Sequence, residues 1–302
     1  MSRRLARPWP GTPGVSGVSA APVTRCSATG SVSPVPRTRL LTALALLVLA
    51  LALVWYGDLP WLAGVLALIA LRAAWEWVQL CPGLDGAWRG GVLLALGALL
   101  AATYVLPPAL GSVLWSLASV GWLLALVLVV RYPAVPSVLQ RPLVQAAIIV
   151  LALAAAWSAL VRLAQIDRSL LLVCLALVWV ADSVAYLVGR RYGRRRLCPQ
   201  VSPGKTLAGL YGGLAGAVLV GLLAGAIWRL DAVQVLALGT LAALCAALSV
   251  VGDLTESVFK RRAGVKDSGQ LLPGHGGALD RIDALIAAAP LFALLAPSLV
   301  GG

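Results

Sequence analysis

Among 302 residues there is one histidine, His275, one methionine, Met1, two phenylalanines and only eleven acidic side chains. Charged residues make up 12% of the chain and hydrophobic ones 61%. With a mean hydropathy of +0.94, this composition excludes an ordinary soluble globular domain. Cysteine is sparse and scattered. Cys26, Cys81, Cys174, Cys198 and Cys245 form no CxxC pair, which argues against a disulfide framework and against a zinc site. The first 38 residues contain no acidic residue and no apolar h-region, so a secretory signal is not expected. A disordered, basic cytoplasmic tail over 1–39 is expected instead.

What the chain has in abundance is long apolar runs. Nine candidate spans fall at about 41–56, 61–78, 90–106, 113–130, 142–161, 169–188, 209–228, 233–251 and 283–299. Most have the roughly 17–25 residues that cross a hydrocarbon core as helix. Barrel strands would be about ten residues long and would alternate in polarity. The expected fold is therefore all-α, a polytopic integral membrane protein of about nine transmembrane helices. Residues 40–165 would form an N-terminal transmembrane half, and 166–302 a C-terminal half carrying the chemistry.

The net charge of +13 does not point to nucleic acid, because the basic residues follow topology. Twenty of the 24 Lys and Arg residues lie in the tail and in alternate connections, and three lie in the opposite set. Such a bias places the N-terminus and the segments 190–205 and 260–280 in the cytoplasm. The expected setting is a bacterial inner or plasma membrane, with the basic excess drawn to anionic lipid headgroups. No nucleic-acid partner is expected, and the sequence allows a homodimer. Trp61, Trp75, Trp77, Trp88 and Tyr132 lie near span ends, as interfacial aromatics do.

The scarce acidic side chains are concentrated. Asp253, Glu256, Asp267, Asp280 and Asp283 are five of the eleven, interleaved with Lys260, Arg261, Arg262, Lys266 and Arg281 and with the turn Pro273–Gly277 that contains His275. Carboxylates hold hard cations, and Lys, Arg and backbone N–H groups hold phosphate oxygens, so the cluster suits a metal ion with a phosphorylated ligand. If the eighth span continues as helix, Asp253, Glu256, Ser257 and Lys260 share one face, and Asp280 and Asp283 share a face of the helix opening the ninth. Upstream, Asp182 sits within the sixth span, where a lone aspartate is functional by default. Gly204-Lys205-Thr206 is not a nucleotide P-loop, because the first glycine of that motif would stand at Pro199. Glycines 209, 212, 213 and 216 suit close helix packing at least as well as phosphate contact. Arg72 and Glu76, an i,i+4 pair in the second span, read more readily as a structural pair than as a site contact.

Ser257, Lys260, Arg261, Lys266, Asp267, Pro273, His275, Gly276, Gly277, Asp280, Arg281 and Asp283, in that order and spacing, resemble the signature of the phosphatidate cytidylyltransferases (CDP-diacylglycerol synthases). Asp182-x-x-Ala185-Tyr186-x-x-Gly189-Arg190, the segment from Val201 to Thr206 and Ala73–Trp77 are similar to the same family, with a departure at Leu207 and Ala208. The resemblance implies an integral membrane enzyme. It would join CTP to phosphatidic acid, giving CDP-diacylglycerol and pyrophosphate with Mg2+. Two polyanionic substrates need a cation to lie together, which makes Asp253, Asp280 and Asp283 the expected metal ligands, with room for a second cation. Asp253, Lys266, Asp267, His275, Asp280, Arg281 and Asp283 are the expected catalytic set. Asp182, Ser202, Lys205, Thr206, Lys260 and Arg261 are expected to hold substrate. The attacking group is already a phosphate anion, so His275 suits a phosphate donor or turn stabiliser better than a base. Another membrane CTP-dependent lipid or polyprenol kinase and a secondary transporter are the alternatives. Polar residues crowded into one half, without matching broken spans in the other, disfavour the transporter.

Overall fold

This computed structural model describes residues 48–81, 83, 84, 86–105, 107–269 and 276–301. Among them, eight helices are long and apolar enough to cross a membrane. They are α1 (Leu59–Leu80), α2 (Ala87–Val105), α3 (Pro108–Arg131), α4 (Pro142–Ile166), α5 (Arg168–Tyr192), α6 (Leu207–Ile227), α7 (Ala232–Arg262) and α8 (Leu279–Val300). They correspond in order to eight of the nine expected spans, and the chain is a polytopic integral membrane protein. The first expected span is helical over 48–56, and its start lies outside the described residues, as do the tail and His275.

Local chemistry starts these helices where the sequence allows. Proline occupies the first turn of α1, α3 and α4, where its missing N–H costs nothing. Asp167 opens α5 by accepting from the Ser169 N–H at 2.7 Å. Asp231 and Gln234 open α7 with reciprocal side-chain caps. At 31 residues, α7 is about 46 Å long, some 16 Å more than a hydrocarbon core. Its last turns, from Asp253 onward, carry the polar residues at that overrunning end. The helix thus continues past the apolar run that ends at 251, because charge lowers hydropathy without breaking a helix.

The second half is a sequence of adjacent packings, α5 on α6, α6 on α7 and α7 on α8, with α4 also against α8. Small residues make these approaches close. A Cβ on Gly209 would stand 2.7 Å from the Ala185 carbonyl oxygen, and one on Gly213 would stand 2.9 Å from that of Ala181. The glycines opening α6 therefore seat it on α5. Between α7 and α8 the same holds at Gly252, whose Cβ would lie 2.5 Å from the Asp283 carbonyl oxygen and 2.8 Å from Ala287 Cβ. Gly252→Ala should force α7 from α8 and destabilise the protein by about 1–3 kcal/mol. Thermal unfolding in detergent checks this, and an unchanged midpoint would show that the two helices part freely.

Two features depart from the sequence reading. Among the described residues, the one break in an all-helical pattern is an antiparallel hairpin, β1 (Arg196–Cys198) with β2 (Ser202–Thr206). Its tip residue Val201 is fully buried. Trp77, expected at the interface, is instead buried and packs against Phe259 of α7, with ring centroids 4.5 Å apart and ring planes inclined by 57°. Trp61 and Trp88 are exposed, which suits interfacial positions.

Candidate active site

The site forms where the ends of α5 and α7, the start of α8 and the hairpin meet. Thr206 ends β2 and caps α6, its Oγ1 accepting from the Gly209 N–H at 3.0 Å. That turn places the neighbouring Lys205 beside α7, with Nζ 2.6 Å from Asp253 Oδ2. Asp182, exposed on α5, interacts electrostatically with both Lys205 and Asp253. Arg261 donates from Nε to the Val201 carbonyl oxygen at 3.2 Å and from Nη1 to that of Val265 at 3.3 Å. It thereby ties the hairpin to the end of α7.

One face of α7 carries the next layer. Glu256 and Lys260 are buried and lie one turn apart, with Lys260 Nζ 3.2 Å from Glu256 Oε2. The same ammonium donates to Asp280 Oδ1 of α8 at 2.6 Å. Ser257, buried on this face, donates to Asp253 Oδ1 at 3.4 Å. Asp283, about one turn into α8, comes within electrostatic reach of Asp253 and hydrogen-bonding reach of Glu256. Among the described residues its one backbone donor is the N–H of Ala284, at 2.7 Å. Apart from the Lys260 ammonium, no donor among the described residues reaches a Glu256 oxygen. Two carboxyl groups this close need a shared proton or a cation between them.

Asp280 has a different environment. Besides Lys260, it accepts from the Ser268 N–H at 3.0 Å and the Gly277 N–H at 2.8 Å. Its carboxylate therefore closes the loop between α7 and α8. The i,i+3 pair expected to act together is split, with Asp280 saturated by protein donors and Asp283 facing other acids.

The groups here that can ligate a metal are carboxylate oxygens, the donor chemistry Mg2+ takes, with the Lys205 and Lys260 ammonium groups beside them. Among the described residues no three acidic, histidine or cysteine side chains converge tightly enough to close a metal site by themselves. That arrangement is compatible with Mg2+, which uses one or two carboxylates and completes its shell with water and substrate phosphate. Asp253 and Asp283 are the fitting pair, since Asp280 is committed to the loop.

The remaining expected residues divide by exposure. Lys266 and Asp267 are exposed in the loop beyond α7, and Arg281 is exposed on α8. Ser202 is half-buried in β2. His275 falls outside the described residues. Cys81, just past α1, is buried, and burial pushes its thiol up to about 12 despite the opposing charge of Arg262. It stays protonated and unreactive.

Comparison with known proteins gives the family. Residues 37–299 match the model of the cytidylyltransferase family. The chain belongs to the cytidylyltransferase family. It is 42% identical over 261 residues to a phosphatidate cytidylyltransferase of Pseudomonas aeruginosa, covering 86% of this chain and 96% of the relative. A phosphatidate cytidylyltransferase of Haemophilus influenzae is 36% identical over 279 residues, covering 85% and 96%. A Brucella suis protein of the same name is 49% identical over 122 residues, 39% of this chain and 43% of the relative. The resemblance read from 257–283 is thereby borne out, and the cytidylyltransferase match begins at the end of the basic tail.

One residue of this cytidylyltransferase carries more than its sequence suggested. Glu76 of α1 is only 1% exposed. Its Oε1 accepts from the Ala278 N–H at 3.0 Å, and its Oε2 accepts from the Leu279 N–H at 2.8 Å and from Ser268 Oγ at 3.0 Å. Arg72 Nη2 lies 3.1 Å from Oε1. Glu76 thus caps α8 from another helix and anchors both ends of the described loop. The i,i+4 pair with Arg72 was visible in the sequence, but its partners in the loop were not.

Proposed function

We infer that the chain is a phosphatidate cytidylyltransferase, converting CTP and phosphatidic acid to CDP-diacylglycerol and pyrophosphate. The observation that carries this reading is that the family match, 37–299, takes in every charged residue that the fold gathers, from Glu76 to Asp283. A phosphate oxygen of the lipid would attack the α-phosphorus of CTP. The bond from that phosphorus to the oxygen bridging to the β-phosphorus would break, and pyrophosphate would leave. The attacking oxygen is already anionic, so no side chain has to remove a proton.

What the protein must supply is positive charge and placement. Lys205 and Lys260 are positioned between carboxylates, so each is held in place before substrate arrives. Exposed Lys266 and Arg281 suit contact with the incoming triphosphate. Mg2+, held by Asp253 and Asp283, would neutralise phosphate oxygens of both substrates when bound. Glu256, Asp280 and Glu76 shape the site behind them. This reading places the hairpin and the loop after α7 on the cytoplasmic side of a bacterial inner membrane, since CTP is a cytoplasmic solute. Single cysteines introduced at positions 203 and 266 should react with impermeant reagents only from that side. Labelling of either from outside would overturn the orientation.

The direct test of function is radiolabelled CTP supplied with phosphatidic acid. Label from the α-phosphate should appear in lipid, with pyrophosphate released. Lipid labelled from the γ-phosphate instead would identify a kinase and overturn the assignment.

A further inference from the structure

The end of α5 carries more positive charge than topology needs. Arg190, Arg191, Arg194, Arg195 and Arg196 are five arginines within seven residues, whereas 79–89 and 131–141, which the charge bias assigns to the same side, hold one and two basic residues. All five are exposed. Among the described residues no carboxylate pairs with any of them. Two are held by aromatic side chains instead. Arg191 donates from Nε to the Tyr192 hydroxyl at 3.1 Å, with its guanidinium 5.6 Å from that ring's centroid. Arg190 donates from Nη1 to the Tyr186 hydroxyl at 3.5 Å. At 25 residues, α5 is about 37 Å long, against roughly 30 Å of hydrocarbon. Its last turn therefore stands among headgroups. Leu187, exposed one turn before Arg191, presents an apolar side chain to the bilayer on the same face.

We propose that this arginine surface binds the phosphate groups of the bilayer's own anionic lipids, and that occupancy steadies the hairpin and so raises turnover. The proposal rests on the reading of the neighbouring site as that of a cytidylyltransferase. Charge, depth and position select this partner. Exposed guanidinium groups without acidic partners suit phosphate, which they hold bidentately. They lie at headgroup depth beyond a lipid-facing leucine, so the phosphate nearest to them belongs to a lipid. The nucleotide has its own cations in Lys205, Lys266 and Arg281. The surface is joined to the site through β1. The Arg195 carbonyl oxygen accepts from the Leu207 N–H at 3.0 Å, and Arg196 stands opposite Thr206 across the hairpin. Thr206 adjoins Lys205, whose ammonium reaches Asp253. A headgroup that fixes 194–196 thereby restricts the strand that carries Lys205. Surface potential alone acts in the opposite sense, because an anionic bilayer repels CTP and raises its KM.

The test compares wild type with the triple variant Arg191→Gln, Arg194→Gln, Arg195→Gln in two kinds of nanodisc. One is phosphatidylcholine alone and the other phosphatidylcholine with phosphatidylglycerol, with phosphatidate kept at the same small mole fraction in both. At saturating CTP, phosphatidylglycerol should raise the wild-type kcat by about fivefold. The triple variant should match wild type in phosphatidylcholine and lose that rise. Lysine at the same three positions keeps the charge and should keep most of the response. No rise in wild type overturns the proposal, as does a rise that survives in the glutamine variant. A glutamine variant whose KM for CTP is higher in both membranes assigns the arginines to the nucleotide, which overturns it too. Hydrogen exchange gives a readout that needs no turnover. Wild-type amides of 196–206 should exchange more slowly with phosphatidylglycerol than without it, and the glutamine variant should show no such difference. Equal exchange of wild type in the two membranes overturns the coupling to the hairpin. Wild type that makes no CDP-diacylglycerol in either membrane refutes the functional reading instead, and the exchange comparison still decides whether this surface binds anionic lipid.

Discussion

Asp283→Asn is expected to lower kcat/KM by on the order of 10²-fold or more, while leaving the protein at least as stable as wild type. The two halves of this result have one cause. Asp283 faces Asp253 and Glu256, and among the described residues its one backbone donor is the Ala284 N–H. In the folded protein without substrate it adds repulsion. An amide of nearly the same size removes that repulsion, so the thermal midpoint should hold or rise. It also removes an anionic oxygen at the place best suited to a divalent cation. Residues kept for function at a cost in stability show this opposition. The assay is a steady-state series in detergent–lipid micelles, varying CTP, phosphatidate and Mg2+ separately, alongside thermal unfolding. Partial recovery at high Mg2+ or with Mn2+ supports ligation. Asp280→Asn is the contrasting variant. It removes an ion pair of 2.6 Å and an acceptor of two backbone N–H groups, so activity and stability should fall together, with no recovery from metal. Near-normal kinetics for Asp283→Asn would move the ligands elsewhere, with Asp182 and Asp267 next.

The contrast between Asp280 and Asp283 marks what a sequence can show. Apolar runs located the spanning helices because lipid contact imposes composition on every turn of them. The spacing of Asp253, Glu256, Ser257 and Lys260 showed their common face, because helical periodicity is local. Whether a carboxylate on that face is saturated or open depends on which backbone N–H groups arrive from the following loop, and no local pattern encodes that. The hairpin escaped for a related reason. Pro203 and Gly204 are poor strand residues, and its pairing depends on Val201 finding a buried site and Arg261 reaching back to hold it. The cap that the Thr206 hydroxyl gives α6 was equally out of sight, since a strand has to end there first. Glu76 is the extreme case, since its loop partners lie 192 to 203 residues away in the chain.

Glu76→Gln should therefore be nearly as damaging as loss of an acid at the centre of the site, although Glu76 stands behind it. Both carboxylate oxygens accept: Oε1 from the Ala278 N–H, and Oε2 from the Leu279 N–H and Ser268 Oγ. An amide offers one acceptor and one donor. Whichever way it turns, its NH2 group confronts at least one backbone N–H, leaving a buried donor without a partner. Each such loss costs about 1–3 kcal/mol, and more where the lost acceptor was charged. Arg72 loses its counter-ion as well. The damage falls on the first turn of α8, where Gly277 and Asp280 are bonded and from which Asp283 projects. Activity should drop by about 10²-fold through misplacement of those groups, chiefly in kcat, with the KM for CTP little changed. Hydrogen exchange separates this positioning role from a general loss of fold. Amides of 276–283 should exchange faster in Glu76→Gln, while those of α4 and the middle of α7 keep their protection. Arg72→Met, which leaves all three loop donors on Glu76, should be milder in both measurements. Unchanged protection at Ala278 and Leu279 together with near-normal turnover would show that the loop holds its shape without Glu76.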